Sequence, residues 1–450
     1  MRAMGMHMEP RLSGPPSLER WRNIAGFWLL GLFNNSAYVI MLAGANEISR
    51  AAVGLVYLCA VFPGMLLKLS APYWFHRASY SKRILAAALL MSSSFSIVAF
   101  SGSRGWQLSG VVLASVQGGL GEASVLALTS HYHSQTTITA WSSGTGFAGV
   151  FGYAWVAVFH VMLAWSLRST LLIAHVIVVA WLLSFFLLLE PPDARQRSVS
   201  ALLDSDRGLI EAAMRIDADS NSQVSTAYID NDEGISRYEP VAAEDGGVLS
   251  SHQSAPFSRR LHQSTVTTYM SAKERLWRTL ALWPYTIPLI VVYFAEYALQ
   301  SGVWTAIGFP VDSSSARSQF YVYSNWTYQV GVFVSRSSGS LWQAGRQTLW
   351  LMPAAQVFVL GFFSLDAVYH FWYNWGLILL CFATGCLGGA VYVQAFSMIA
   401  REVEPRFREF SLGAASVADS LGIALADIAG IFIQGCLFKA NKLSGADFSC

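Results

Sequence analysis

Eleven long apolar stretches, joined by short polar connections and broken by one polar interval of about ninety residues, organise this chain. The stretches fall at residues 24–44, 52–75, 84–101, 106–130, 141–165, 169–189, 280–302, 321–335, 348–365, 372–398 and 410–438. A hydrocarbon layer of roughly 30 Å needs about 20 apolar residues per helix. Strands of a membrane barrel would alternate apolar and polar positions, whereas residues 171–189 are apolar on every face. The pattern therefore predicts an all-α polytopic membrane protein of about 11 transmembrane helices in a 6+5 arrangement.

Composition agrees, with 54% hydrophobic residues, 12% charged residues and a mean hydropathy of +0.42. A net charge of +2 carries no nucleic-acid footprint. The expected segments are a cytosolic tail (1–23), a six-helix bundle (24–190), a disordered cytosolic loop (191–279), a five-helix bundle (280–438) and a short tail (439–450). The first stretch is too long for a cleaved signal core and is expected to stay as the first helix.

Orientation follows from Lys and Arg. With a cytosolic amino terminus, the cytosolic connections hold 22 basic residues and the opposite side holds six. Setting aside the ten in the long loop leaves 12 against six, and the positive-inside rule selects the same topology. The loop holds 13 of the 27 acidic residues and few aromatics, a composition that cannot pack a core. Near Leu209 and Ile210, after Asp204 and Asp206, it resembles an acidic dileucine sorting signal with the spacing off by one. The loop is also where cytosolic trafficking partners would dock.

Six helices followed by five is the layout of a two-bundle transporter with its substrate site between the halves. Ionisable groups within the spans are the sharpest clue, since a charge at mid-membrane costs roughly 3 kcal/mol or more on insertion scales. Glu122 follows a glycine-rich run and reads either as a proton or substrate group or as a buried structural hydrogen bond. Glu296 follows Pro284 and Pro288, whose freed carbonyls a cavity can use. Its alternative is a buried pair with Arg336 or Lys68. Asp419 and Asp427 lie on nearby angles of one helix, with Asp427 closer to the far interface. Lys68 reads first as a snorkelling side chain and Arg336 as an anchor at a helix end. Asn34, Asn35 and Ser36 either bond across helices or read a polar substrate.

The remaining features are bland. Gly144, Gly146, Gly149 and Gly152 read as helix packing. Cys59, Cys381, Cys386, Cys436 and Cys450 read as packing residues without metal-ligand spacing, and no cofactor is expected. His131 and His133 alternate faces, so a metal pair is not expected. Asn325 heads a glycan acceptor triplet too close to the bilayer for modification. No nucleophile stands beside a general base at helical spacing, so an enzyme is not expected.

Several ordered blocks resemble the battenin family of juvenile neuronal ceroid lipofuscinosis, and its fungal vacuolar members most of all. They are residues 27–35 (FWLLGLFNN), 119–122 (GLGE), 141–149 (WSSGTGFAG), 291–297 (VVYFAEY), 328–338 (YQVGVFVSRSS), 387–393 (LGGAVYV), 408–410 (REF) and 419–422 (DSLG). The resemblance implies a major-facilitator-like fold in the vacuolar or lysosomal membrane. For fungal members it implies vacuolar pH homeostasis and arginine transport into the vacuole. For animal members it implies lysosomal export of glycerophosphodiesters. It also implies roles for Glu296, Val332, Arg336 and Asp419. The chain ends in cysteine without the prenylation box of animal members.

Three readings remain. The first is a secondary transporter with protons on Glu122 or Glu296 and selectivity from Asn34, Asn35 and the carboxylates. Four intramembrane carboxylates against one lysine favour a basic amino acid, whereas a phosphodiester requires Lys68 or Arg336 to reach the cavity. The second is a glycerophosphodiester exporter, and the third a non-transporting organiser of trafficking or proton-pump regulation.

Overall fold

The continuous apolar runs fold as helices, whose backbone groups bond within the segment and leave none for lipid to satisfy. The computed structural model describes residues 17–43, 53–190, 270–444 and 450. Nearly all of the long loop, including Leu209 and Ile210, lies outside the described residues.

The first half holds α1 (Ser17–Ala43), α2 (Val53–Trp74), α3 (Tyr80–Phe100), α4 (Arg104–Leu128), α5 (Ser134–Val156), α6 (Leu167–Ile173) and α7 (His175–Leu183). The second holds α8 (Ala272–Leu280), α9 (Trp283–Ala298), α10 (Ser314–Arg336), α11 (Arg346–Tyr369), α12 (Leu377–Glu402), α13 (Pro405–Ala415) and α14 (Val417–Ala440). Each expected span falls on one helix or on a consecutive pair. The sixth is α6 with α7, and the eleventh is α13 with α14, interrupted at Ser416. That break corrects the expectation of a single helix carrying Asp419, which instead stands in the first turn of α14.

Nine stretches of the described chain are long and apolar enough to cross a membrane. The two expected spans outside that set are the fifth and the eighth, α5 and α10. Their serines, threonines and amides lower the hydropathy, and the two helices pack on one another across the halves. Ser143 and Ser337 stand Oγ to Oγ at 2.9 Å, and the rings of Phe147 and Phe333 are 5.1 Å apart. Polar residues facing a neighbouring helix need no lipid contact. The other cross-half packing includes α2 with α14.

The glycines of α5 serve two neighbours. A Cβ on Gly144 would meet the Trp28 carbonyl of α1, and one on Gly146 would come within 3.0 Å of Phe333 Cα on α10. Both approaches need the missing side chain.

Helix α10 begins at Ser314 rather than residue 321, so Asn325 lies in mid-helix. It is 5% exposed and its amide donates to the Tyr321 carbonyl at 2.8 Å. One cysteine expectation is also corrected, because Cys436 and Cys450 form a disulfide. Cys59, Cys381 and Cys386 are free thiols.

Candidate central transport site

Lys68 lies less than two turns from the end of α2, near enough for its stem to reach an interface. It does not snorkel. The residue is 3% exposed, and its ammonium donates to Glu122 on α4 and to Asp419 and Ser420 on α14. The Nζ distances are 3.1 Å to Asp419 Oδ1 and 2.8 Å to Ser420 Oγ. An ammonium has three N–H donors, and three acceptors inside the protein replace its water.

The two carboxylates are held on their other sides. Glu122 Oε1 accepts from the Tyr392 hydroxyl at 2.6 Å, and that hydroxyl accepts from the Trp141 indole at 3.2 Å. Asp419 Oδ1 also accepts from the Ser420 amide at 2.6 Å. The break at Ser416 matters here, because a helix start favours a nearby negative charge. Residues of α2, α4, α5, α12 and α14 are thus joined in one buried polar chain.

Arg336, expected as an anchor, is instead 8% exposed at the end of α10. It donates to Thr145 on α5 at 2.6 Å and to the Tyr293 hydroxyl on α9, with its guanidinium 4.1 Å from the Tyr392 ring centroid. Among the described residues no carboxylate lies within 4.0 Å of it, and its Nε has no acceptor.

A cavity of about 110 Å³ is lined by Lys68, Glu122, Arg336 and Asp419. It is smaller than the roughly 300–1,000 Å³ of small-molecule sites, so a bound solute requires the halves to open. The amide cluster divides its work. Asn34 bonds across helices, donating to the Gly118 carbonyl at 3.2 Å and accepting from Gln117 at 3.0 Å. Both Asn34 and Asn35 border the cavity, with Asn35 half-buried.

Three sequence candidates lie off the cavity lining. Glu296 is 1% exposed, hydrogen-bonded to Tyr328, with Oε2 unpartnered. A Cβ on Gly388 would collide with that carboxylate. It pairs with neither Arg336 nor Lys68, whose partners are those above. Asp427 is 8% exposed with neither carboxylate oxygen hydrogen-bonded. Val332 is buried in the seam of α10 and α12, where its carbonyl faces Gly389.

Sequence reasoning missed Tyr392, Tyr293, Trp141 and Ser420. Each stands inside a quoted block, and a tyrosine or tryptophan in an apolar span carries a polar tip that needs a partner. Two carboxylates sharing one ammonium carry one net negative charge. A proton or a cationic group can neutralise it, and either change alters the tie between α2 and α14.

The family model described as CLN3 protein matches residues 25–440. Protein BTN1 of Chaetomium globosum is 34% identical over 94% of this chain and 90% of its own length. Battenin of Canis lupus familiaris is 32% identical over 91% of this chain and 89% of its own. Among solved structures, the proton:xylose symporter XylE superposes with a TM-score of 0.54 at 13% identity, covering 95% of this chain and 89% of XylE. The human organic anion transporter MFSD10 gives 0.51 at 13% identity, covering 95% and 98%. These structures show a major-facilitator fold, and the nine long apolar stretches among the described residues fit a multi-pass membrane protein. By the family match and the extent of its relatives, the chain belongs to the CLN3, or battenin, family.

Proposed function

We propose that this protein is a secondary transporter of a small charged solute in the vacuolar or lysosomal membrane, with Lys68, Glu122 and Asp419 as its coupling element. The observation that carries the reading is the buried ammonium bridging two carboxylates from opposite halves beside a cavity. Breaking a buried ion pair costs roughly 3–5 kcal/mol, so the network acts as a latch rather than a surface ornament. Adding a proton or a substrate charge loosens it, and rocking of the halves follows.

The cavity charges bear on the solute. Lys68 is balanced by two carboxylates, whereas Arg336 lines the cavity with no carboxylate beside it. A guanidinium without a carboxylate partner among the described residues favours an anion such as a glycerophosphodiester, which would take up its unpartnered Nε and its remaining N–H donors. A basic amino acid such as arginine fits if its guanidinium takes the place of Lys68 between Glu122 and Asp419. Vacuolar pH homeostasis then follows from proton exchange at the same carboxylates.

The test is uptake into proteoliposomes, comparing labelled arginine with a labelled glycerophosphodiester, with and without a proton gradient. Gradient-dependent flux of one solute that Lys68→Gln abolishes supports the reading. Flux of neither solute overturns it in favour of an organising role through residues 191–279.

A further inference from the structure

A second pocket shares no lining residue with the central cavity. It occupies about 210 Å³ at the end of the bundle that the charge bias predicts to be cytosolic, among the end of α2, the start of α3, α8 and α13. His76 and Ser79 are exposed at its mouth, and Arg83 and Arg275, each 5% exposed, line its interior.

Arg83 is held in place by stacking rather than by a counter-ion. Its guanidinium stands 4.7 Å from the Phe75 ring centroid and 4.1 Å from that of Tyr80. Its Nε has no hydrogen-bond acceptor, and no carboxylate of the described residues lies within 4.0 Å. The one acid among its lining residues, Glu409, accepts from Tyr80 at 2.5 Å through Oε1, faces His131 at 3.3 Å through Oε2, and lies near enough to Arg83 to feel its charge. A buried guanidinium with no anion in direct contact and an unpartnered Nε is expensive, and other groups of the site can serve an anion as well. Arg275 enters from α8, its donors fixed on the Met270 and Pro72 carbonyls. Burial and the neighbouring Arg77 hold its guanidinium below the ordinary arginine pKa, with Glu274 acting the other way. The 21-residue helix α3 begins in the pocket wall, and its N-cap Ser79 makes no side-chain cap bond. Its first-turn amides therefore lack the usual side-chain acceptor.

We propose that this pocket binds a phosphate group, presented by an anionic lipid headgroup or by a soluble phosphomonoester. Stacked arginine and an uncapped helix start are complementary to phosphate oxygens. The setting suits a headgroup. Trp277 and Trp283, 64% and 55% exposed, flank the segment where α8 leads into α9, as tryptophans do at membrane interfaces.

The experiment measures the Tm of the purified full-length chain in nanodiscs of phosphatidylcholine alone, in nanodiscs doped with phosphatidylinositol phosphate, and in phosphatidylcholine discs with added glycerol 3-phosphate. The expected result is a Tm rise of a few degrees with the phosphoinositide. The rise is lost in Arg83→Gln and Arg275→Gln and kept in Lys273→Gln, which removes an exposed charge from α8. A rise with glycerol 3-phosphate as well assigns the site to free phosphomonoesters.

Gly413→Leu guards against a folding defect in the arginine variants, because it narrows the pocket without touching a charge. A Cβ there meets only Ala123 O at 3.5 Å and Ala127 Cβ at 3.6 Å. It should abolish the rise while still giving a cooperative melt in phosphatidylcholine. The proposal is overturned if no probe shifts the wild-type Tm. It is equally overturned if sodium chloride of matched ionic strength reproduces the shift, or if Lys273→Gln removes it as fully as Arg83→Gln.

Discussion

Lys68 on α2 reaches Asp419 on α14, 351 residues along the chain, with Nζ 3.1 Å from Oδ1. Each half of the molecule thus contributes one end of a buried ion pair. Lys68→Gln leaves Glu122 and Asp419 facing each other without a cation. Stability should fall by roughly 3–5 kcal/mol, the cost of breaking a buried pair from one side. Adding Glu122→Gln removes one of the stranded charges and should restore much of the lost Tm, but not flux. Thermal melts and proteoliposome uptake on the same preparations separate the two effects; a double variant that transports normally would remove the triad from the mechanism.

Arg336 discriminates between the two substrate charges. If the solute is a phosphodiester, Arg336→Gln removes a charged hydrogen bond of about 1.5–3 kcal/mol, a roughly tenfold to hundredfold loss in apparent affinity. Arginine transport should change far less, since the guanidinium adds only repulsion to a cationic solute. Competition curves for each solute in Arg336→Gln and Arg336→Lys give the comparison. Equal losses for both solutes would mean that Arg336 supports the seam through Thr145 and Tyr293 rather than contacting cargo.

Glu296 is buried without a cation, so its neutral isostere should not unfold the protein. Glu296→Gln can keep an acceptor for Tyr328 and should leave the Tm unchanged or higher, because a desolvated charge is no longer needed. If Glu296 carries protons, its substitution uncouples flux from the gradient. Gly388→Ala tests the same position from the opposite helix, because its Cβ would displace the carboxylate. Uptake as a function of external pH is the readout, and an unaltered profile in Glu296→Gln would confine the residue to packing.

The helices were legible because lipid imposes long apolar runs, and even α5 and α10 were found despite their polar side chains. The break at Ser416 was not, because no proline or glycine stands at that point to mark it. Glu122, Asp419 and Asn35 stood out as polar groups in apolar spans, and all three border the cavity. The roles of Lys68 and Arg336 were misread for a single reason. Long basic side chains near a helix end can reach water or turn inward, and only the positions of distant acceptors decide between them. Those acceptors, such as Ser420 for Lys68 and Thr145 for Arg336, come from the opposite half of the chain. The pairing of Cys436 with Cys450 likewise depends on where Cys450 lies relative to α14.

That disulfide carries the last prediction, which concerns topology. Helix α14 ends at the face expected to be lumenal, where an oxidising compartment sustains such bonds. In sealed organelles, a membrane-impermeant maleimide should fail to label Cys436 or Cys450 before or after mild external reduction. After detergent opening and reduction, both should react. Closing a loop of this length contributes about 3 kcal/mol in the chain-entropy model. The Cys436→Ser/Cys450→Ser double variant should therefore melt several degrees lower while retaining flux, since neither cysteine lines the central cavity. Labelling from the outside of intact organelles would instead put the carboxyl terminus in the cytosol and reverse the assignment of the final span.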